Sequence, residues 1–201
     1  MTGVLTDEGI AALLAEMGVV RGGHFALSSG AHSDTYLQCA LALSSPAVAL
    51  ALGRALAGRV GDAGHEVDVV ASPALGGVLA GFAVAAALDR RFVFAERVAG
   101  EFALRRGQHL AAGERVLVVE DVVTTGGSAS EVAGLVGAQG AAVVAVASIV
   151  DRSRGLAPPQ RPAWTPISLH RVAPALWAPP DCPRCAAGEP LDRPGSRTPA
   201  A

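Results

Sequence analysis

The sequence predicts an α/β fold, in which a central parallel sheet is flanked by helices and preceded by a small N-terminal hood. Three observations carry that expectation. Apolar, Val-rich runs alternate with helical stretches between about residues 60 and 155, as strands buried on both faces of a parallel sheet require. The 201 residues are 51% hydrophobic and 17% charged, the balance of a folded domain large enough to bury a core. Aromatics make up only 4%, so Ala, Val and Leu must fill that core.

The elements follow in order. Asp7 reads as the N-cap of a first helix over residues 9–17, ended by Gly18. Two short strands, at 24–30 and 32–38, flank a Ser/Gly turn and complete a hood over residues 1–40. Pro46 opens a second helix, at its favoured first position, that runs to about Val60. The core, residues 60–155, then alternates: strand 68–71, helix 77–88, strand 91–95, strand 115–119, helix 128–139, strand 142–150. Most of the chain's 13 prolines lie beyond Arg154, so residues 156–193 read as an irregular C-terminal wrap. Residues 1–193 are thus expected to form one domain and 194–201 a disordered tail.

Composition removes several function classes. All 16 basic residues are Arg and none is Lys, which excludes a Schiff-base lysine or a P-loop lysine. Arg holds its charge and presents a planar fork of donors, so the cationic chemistry here is anion recognition rather than proton transfer. A net charge of -2 leaves no broad basic field, and nucleic acid is not an expected partner. The uncharged run 69–88 is long enough to cross a bilayer, but Ser72-Pro73 and Gly76-Gly77 divide it into strand, loop and helix, so no membrane partner is expected. Three cysteines, an odd number, with no basic n-region in residues 1–13, point to a reducing cytoplasmic setting.

The most informative stretch is 116–128. Its apolar half is a buried strand that delivers Glu120 and Asp121 to the carboxyl edge of the sheet, where open α/β sheets bind ligands. Adjacent carboxylates repel unless hydroxyl donors or cations share them, and a ribose diol is such a partner. After Val122 and Val123, the residues Thr124, Thr125, Gly126, Gly127 and Ser128 bring small side chains, hydroxyls and free amides to a helix N-terminus, a site for phosphate. A buried strand, a turn and a Ser cap would each arise without function; their ordered combination is far rarer.

This stretch resembles the 5-phosphoribosyl 1-diphosphate signature of the type I phosphoribosyltransferases. The resemblance implies that the acidic pair contacts the ribose hydroxyls and that the Thr/Gly/Ser loop wraps the 5-phosphate. Three further segments resemble the orotate branch of that family: residues 25–36 its substrate loop, 149–152 the strand end whose Arg meets orotate, and 72–77, with Gly76 and Gly77, its diphosphate loop. Arg152 opposite the orotate carboxylate would give selectivity over purines, which lack that charge. Taken alone, 25–36 could be a plain hairpin, Asp151-Arg152 a surface ion pair, and Gly76-Gly77 a simple turn.

The departures concern cations. Orotate enzymes commonly carry lysines in these loops; here Ser28 stands where a basic residue is common, and the equivalent catalytic loop, 97–109, offers Arg97, Arg105, Arg106 and His109. The resemblance implies Mg²⁺ carried by the substrate diphosphate with no direct protein ligand, and a homodimer in which the loop reaches the neighbouring site. Two alternatives stay open: a phosphoribosyltransferase for another base, and a non-catalytic regulator that binds the same donor. Cys182 and Cys185 have metal-like spacing but supply only two ligands, so zinc would need ligands from outside the chain, and a structural thiol pair is the favoured reading.

Overall fold

The computed structural model describes residues 5–27 and 29–194. The elements in chain order are α1 (Asp7–Glu16), β1 (Val20–Ala26), β2 (His32–Leu37), α2 (Ala40–Leu43), α3 (Pro46–Asp62), β3 (Val69–Pro73), α4 (Gly77–Leu88), β4 (Arg91–Val98) and β5 (Glu101–Leu104). They continue with β6 (Arg115–Val123), α5 (Gly127–Ala138), β7 (Ala142–Asp151), β8 (Ile167–Arg171), β9 (Leu176–Trp177) and α6 (Pro183–Ala186). The first helix is capped one residue earlier than expected: Thr6 Oγ1 accepts from the Gly9 amide at 3.2 Å, and Asp7 and Glu8 lie in the first turn, where the helix dipole favours them.

The main sheet has the order β5-β4-β3-β6-β7-β8, parallel throughout except for the antiparallel edge strand β5. Strand alternation shows why the strands read as continuous apolar runs. On one face Val70, Leu117, Val119 and Ile149 pack with Leu52, Leu56 and Val60 of α3, Val84 of α4, and Ile10 and Leu14 of α1. Their neighbours Val69, Ala71, Val116 and Val118 point to the other face, where Val132 and Val136 of α5 cover them.

Two departures concern the tail. Residues 156–193 are not an irregular wrap: β8 adds a parallel strand beside β7, and β9 joins β1 and β2 in a separate three-stranded sheet. The prolines bracket these strands instead of replacing them. Further on, Asp192 bonds to both Ala26 and His24 through the backbone at 2.8 Å, which holds the tail against the hood. Residues 195–201 of the expected disordered tail lie outside the described residues.

Strand order sets the place of the site. From β3 the chain moves through α4 to β4 on one side; from β6 it moves through α5 to β7 on the other. The loops after β3 and β6 therefore leave neighbouring strands in opposite directions and open a crevice at the carboxyl edge of the sheet.

Candidate active site

Glu120 and Asp121 stand on β6 at that crevice, and the loop after β3 closes on them. Gly76 and Gly77 make the approach possible. A Cβ at Gly76 would sit 3.0 Å from Asp121 Oδ1, and one at Gly77 would sit 3.0 Å from the Val119 carbonyl and 3.2 Å from Glu120 Oε2. Any side chain there would push the loop off the carboxylates, so the glycines serve contact as well as turning.

Both carboxylates are held in an unfavourable setting. Glu120 is 9% exposed. Burial, followed by repulsion from Asp121, pushes its pKa up from 4.5 to about 8. Burial also raises Asp121, against the pull of the Val122 amide, which donates to Asp121 Oδ1 at 2.9 Å. No basic side chain offsets either charge among the described residues. Cys39, just past β2, donates its thiol to the Asp121 carbonyl at 3.7 Å and so ties the hood to this edge; burial raises the thiol well above its ordinary value.

Beyond Val123 the loop turns through Gly126, whose φ of 76° is left-handed, into α5. The α5 N-terminus has no side-chain cap, and its contact from Thr125 Oγ1 to the Gly127 amide is long at 3.4 Å. Amides aimed out of a helix start in this way attract anions. Trp164 and Pro162 pack against Gly126, where a Cβ would stand 2.8 Å from the indole. Beside them lies a cavity of ≈ 410 Å³ lined by Asp151, Ser153, Arg154, Arg161 and Trp164, among others.

Arg152 follows β7 directly, and its amide donates to the Val123 carbonyl at 2.9 Å, joining this strand end to the β6 loop. Its Nε is buried without a hydrogen-bond partner among the described residues, and burial pulls its pKa down. The surface ion pair considered for Asp151-Arg152 does not form: Asp151 accepts from the Ser153 amide at 2.9 Å and faces Arg171 at 3.7 Å.

The Arg-bearing segment 97–109 is a hairpin, β4 to β5, followed by a turn. Its arginines differ in what they have already bound. Arg97 is bidentate to Glu131 of α5 at 2.9 and 3.0 Å and lies over the Phe102 ring at 4.0 Å. Arg106 is bidentate to Glu96 at 3.1 and 3.2 Å. Arg105 is exposed and forms no ion pair among the described residues, though its charge, after that of Arg106, helps hold the Glu96 carboxyl low. His109 is exposed, with Nδ1 3.3 Å from the Gly107 carbonyl. No hydrogen bond or ion pair joins these side chains to the acidic pair among the described residues. Ser28 lies outside the described residues.

The expectation that Cys182 and Cys185 could be ligands only with help from outside the chain is corrected by the fold: His24 and His32 of the hood stand beside them. Two buried histidines on facing strands of one hairpin were the sequence signal that would have completed the set.

Comparison with known proteins bears on the family and the fold. The family model described as phosphoribosyl transferase domain matches residues 42–177. The chain is 44% identical over 193 residues to an orotate phosphoribosyltransferase of Thermoanaerobacter sp. (strain X514), covering 96% of this chain and 99% of that protein. It is 45% identical over 188 residues to an orotate phosphoribosyltransferase of Wolinella succinogenes, covering 87% and 90% respectively. Among solved structures, the Mycobacterium tuberculosis H37Rv orotate phosphoribosyltransferase in complex with inorganic phosphate is similar, with a TM-score of 0.61 at 27% identity over 83% of this chain and 96% of that one.

Proposed function

The chain belongs to the phosphoribosyl transferase family, and from that premise we propose that it acts as an orotate phosphoribosyltransferase. It transfers the 5-phosphoribosyl group of 5-phosphoribosyl 1-diphosphate to a nitrogen of orotate, giving orotidine 5'-phosphate and diphosphate in pyrimidine biosynthesis. The observation that carries the reading is the pair of buried Glu120 and half-buried Asp121, without a counter-cation among the described residues, set between two glycine-bearing loops.

Each part then has a task. The amides and hydroxyls from Thr124 to Ser128 hold the 5-phosphate at the start of α5. Glu120 and Asp121 accept hydrogen bonds from the ribose hydroxyls. As the bond to diphosphate lengthens, positive charge grows on the ribose carbon, and the same carboxylates favour it in a site of low dielectric. Backbone amides of the 72–77 loop, with Gly76 and Gly77, face the diphosphate. Arg105, in no ion pair among the described residues, is the loop cation best able to meet the leaving charge, with Arg97 and Arg106 available if their pairs open. Arg152, whose buried Nε has no partner among the described residues, meets the orotate carboxylate.

A divalent cation suits this site, because an acidic pair with raised pKa values and no Arg partner among the described residues welcomes positive charge. Bound Mg²⁺ would supply charge neutralisation of the departing diphosphate, carried in on the donor. We assign a homodimer on the exposed apolar residues Leu75, in the turn before α4, and Leu79 and Phe82 of α4, which are 86%, 52% and 58% exposed. The three free cysteines suit a cytoplasmic setting.

The test is the fall in orotate absorbance on mixing protein, orotate, 5-phosphoribosyl 1-diphosphate and Mg²⁺. Mg²⁺-dependent loss of orotate is the expected result. No loss, with donor binding intact by calorimetry, would overturn the acceptor assignment.

A further inference from the structure

We propose that His24, His32, Cys182 and Cys185 bind one zinc ion, which staples the C-terminal segment of the chain to the N-terminal hood. The four ligand atoms, two ring nitrogens and two sulfurs, all lie within 4.8 Å of one another. His24 Nε2 is 3.4 Å from His32 Nδ1, 3.3 Å from Cys182 Sγ and 3.6 Å from Cys185 Sγ, and Cys185 Sγ is 3.3 Å from His32 Nδ1. A tetrahedral zinc with ordinary bond lengths sets its ligands about 3.3 Å apart for two nitrogens and about 3.6 Å apart for nitrogen and sulfur. The side chains thus stand at the spacing of a coordination shell.

Ring orientation supports the same reading. His24 Nδ1 lies 3.1 Å from the Glu189 carbonyl, a partner that only a donor N–H can satisfy. The proton is therefore on Nδ1, and Nε2 presents its lone pair to the cluster, as a ligating imidazole fixed by an outer carbonyl does. Three other groups crowd that single lone pair, and a hydrogen bond can satisfy only one of them. A cation at the centre satisfies all four at once, with two thiolates balancing its charge after their protons pass to solvent. Two imidazoles with two thiolates in tetrahedral array select zinc over the hard cations.

His24 and His32 sit on β1 and β2, whereas Cys182 caps α6 and Cys185 lies within it, 150 residues or more away in sequence. His24, His32 and Cys182 are buried and Cys185 is exposed, and four protein ligands leave no open coordination position, as in structural zinc sites. The ion closes the ring between the ends of the chain at the point where Asp192 already bonds to the hood backbone. None of these side chains is given a task in the transfer reaction, although His32 lies within the 25–36 segment.

The test is metal analysis of the whole chain purified without chelator and under reducing conditions, followed by replacement of the ion with Co²⁺. The expected results are one zinc per chain and, after exchange, the d–d and thiolate charge-transfer bands of tetrahedral cobalt. Cys185→Ser and His32→Ala should each lose the ion, and stripping it should lower Tm by more than about 10 °C. Because those variants could fail to fold, the cobalt spectrum of the unaltered chain is the deciding measurement. A metal-free chain that takes up no Co²⁺, an isolated ion other than zinc, or a Cys182–Cys185 disulfide in reduced protein would each overturn the proposal.

Discussion

Glu120 should make the protein less stable as pH rises, and Glu120→Gln should relieve that cost while removing function. In the folded chain its pKa rises from 4.5 to about 8, because burial and the neighbouring Asp121 disfavour the charge. The unfolded chain loses this proton near the lower value. Between the two values the folded state binds more protons, so stability is complete below pH 4.5 and falls as pH rises through the folded pKa. At ~1.4 kcal/mol per pH unit, the loss reaches roughly 3 kcal/mol by neutral pH and roughly 4 kcal/mol near the folded pKa. Gln copies the protonated carboxyl in shape and has no charge to bury. In a chain of this size such a gain corresponds to roughly 10 °C in Tm. Scanning calorimetry of both proteins should show little difference at about pH 5 and a Tm higher by that amount at about pH 8, while kcat/KM falls roughly a hundredfold. An offset of equal size at both pH values would refute the reasoning, since the effect would then lie in packing and not in charge.

Arg152→Ala should raise KM for orotate by roughly ten- to a hundredfold, the loss of one charge-assisted contact, and leave KM for the donor near its starting value. Equal losses for both substrates in steady-state kinetics would make Arg152 a structural residue. For the loop cations, Arg105→Gln should lower kcat at least tenfold with Tm unchanged, because Arg105 forms no ion pair among the described residues. Arg97→Gln should lower Tm, by a degree or two at most, because it breaks an exposed pair with Glu131. Thermal melts and rates measured together on both variants check the contrast, and the reverse pattern would exchange their roles.

The stretch proposed for the donor could be singled out in the sequence because its parts are contiguous. The run 116–128 holds strand, acidic pair, loop and helix start in one piece, and the structure keeps them in that order on β6 and α5. Arg152 follows a strand whose end could likewise be read from its Val run. The arginines of the 97–109 segment were named without a means of ranking them. Their difference lies in Glu131 and Glu96, partners that a hairpin and a helix bring to two of them and not to the third.

Local periodicity determined the helices and the central strands, since burial on one helical face or on both sides of a sheet leaves its mark within a few residues. Long-range pairing could not be read in that way. That β8 extends the main sheet, that β9 joins the hood, and that the loops after β3 and β6 face one crevice all follow from strand order, which only the folded chain path decides. The His24, His32, Cys182 and Cys185 cluster is the sharpest case. The cysteine pair looked incomplete in sequence, because the spacing within a pair carries no record of which distant residues the tertiary fold will set against it.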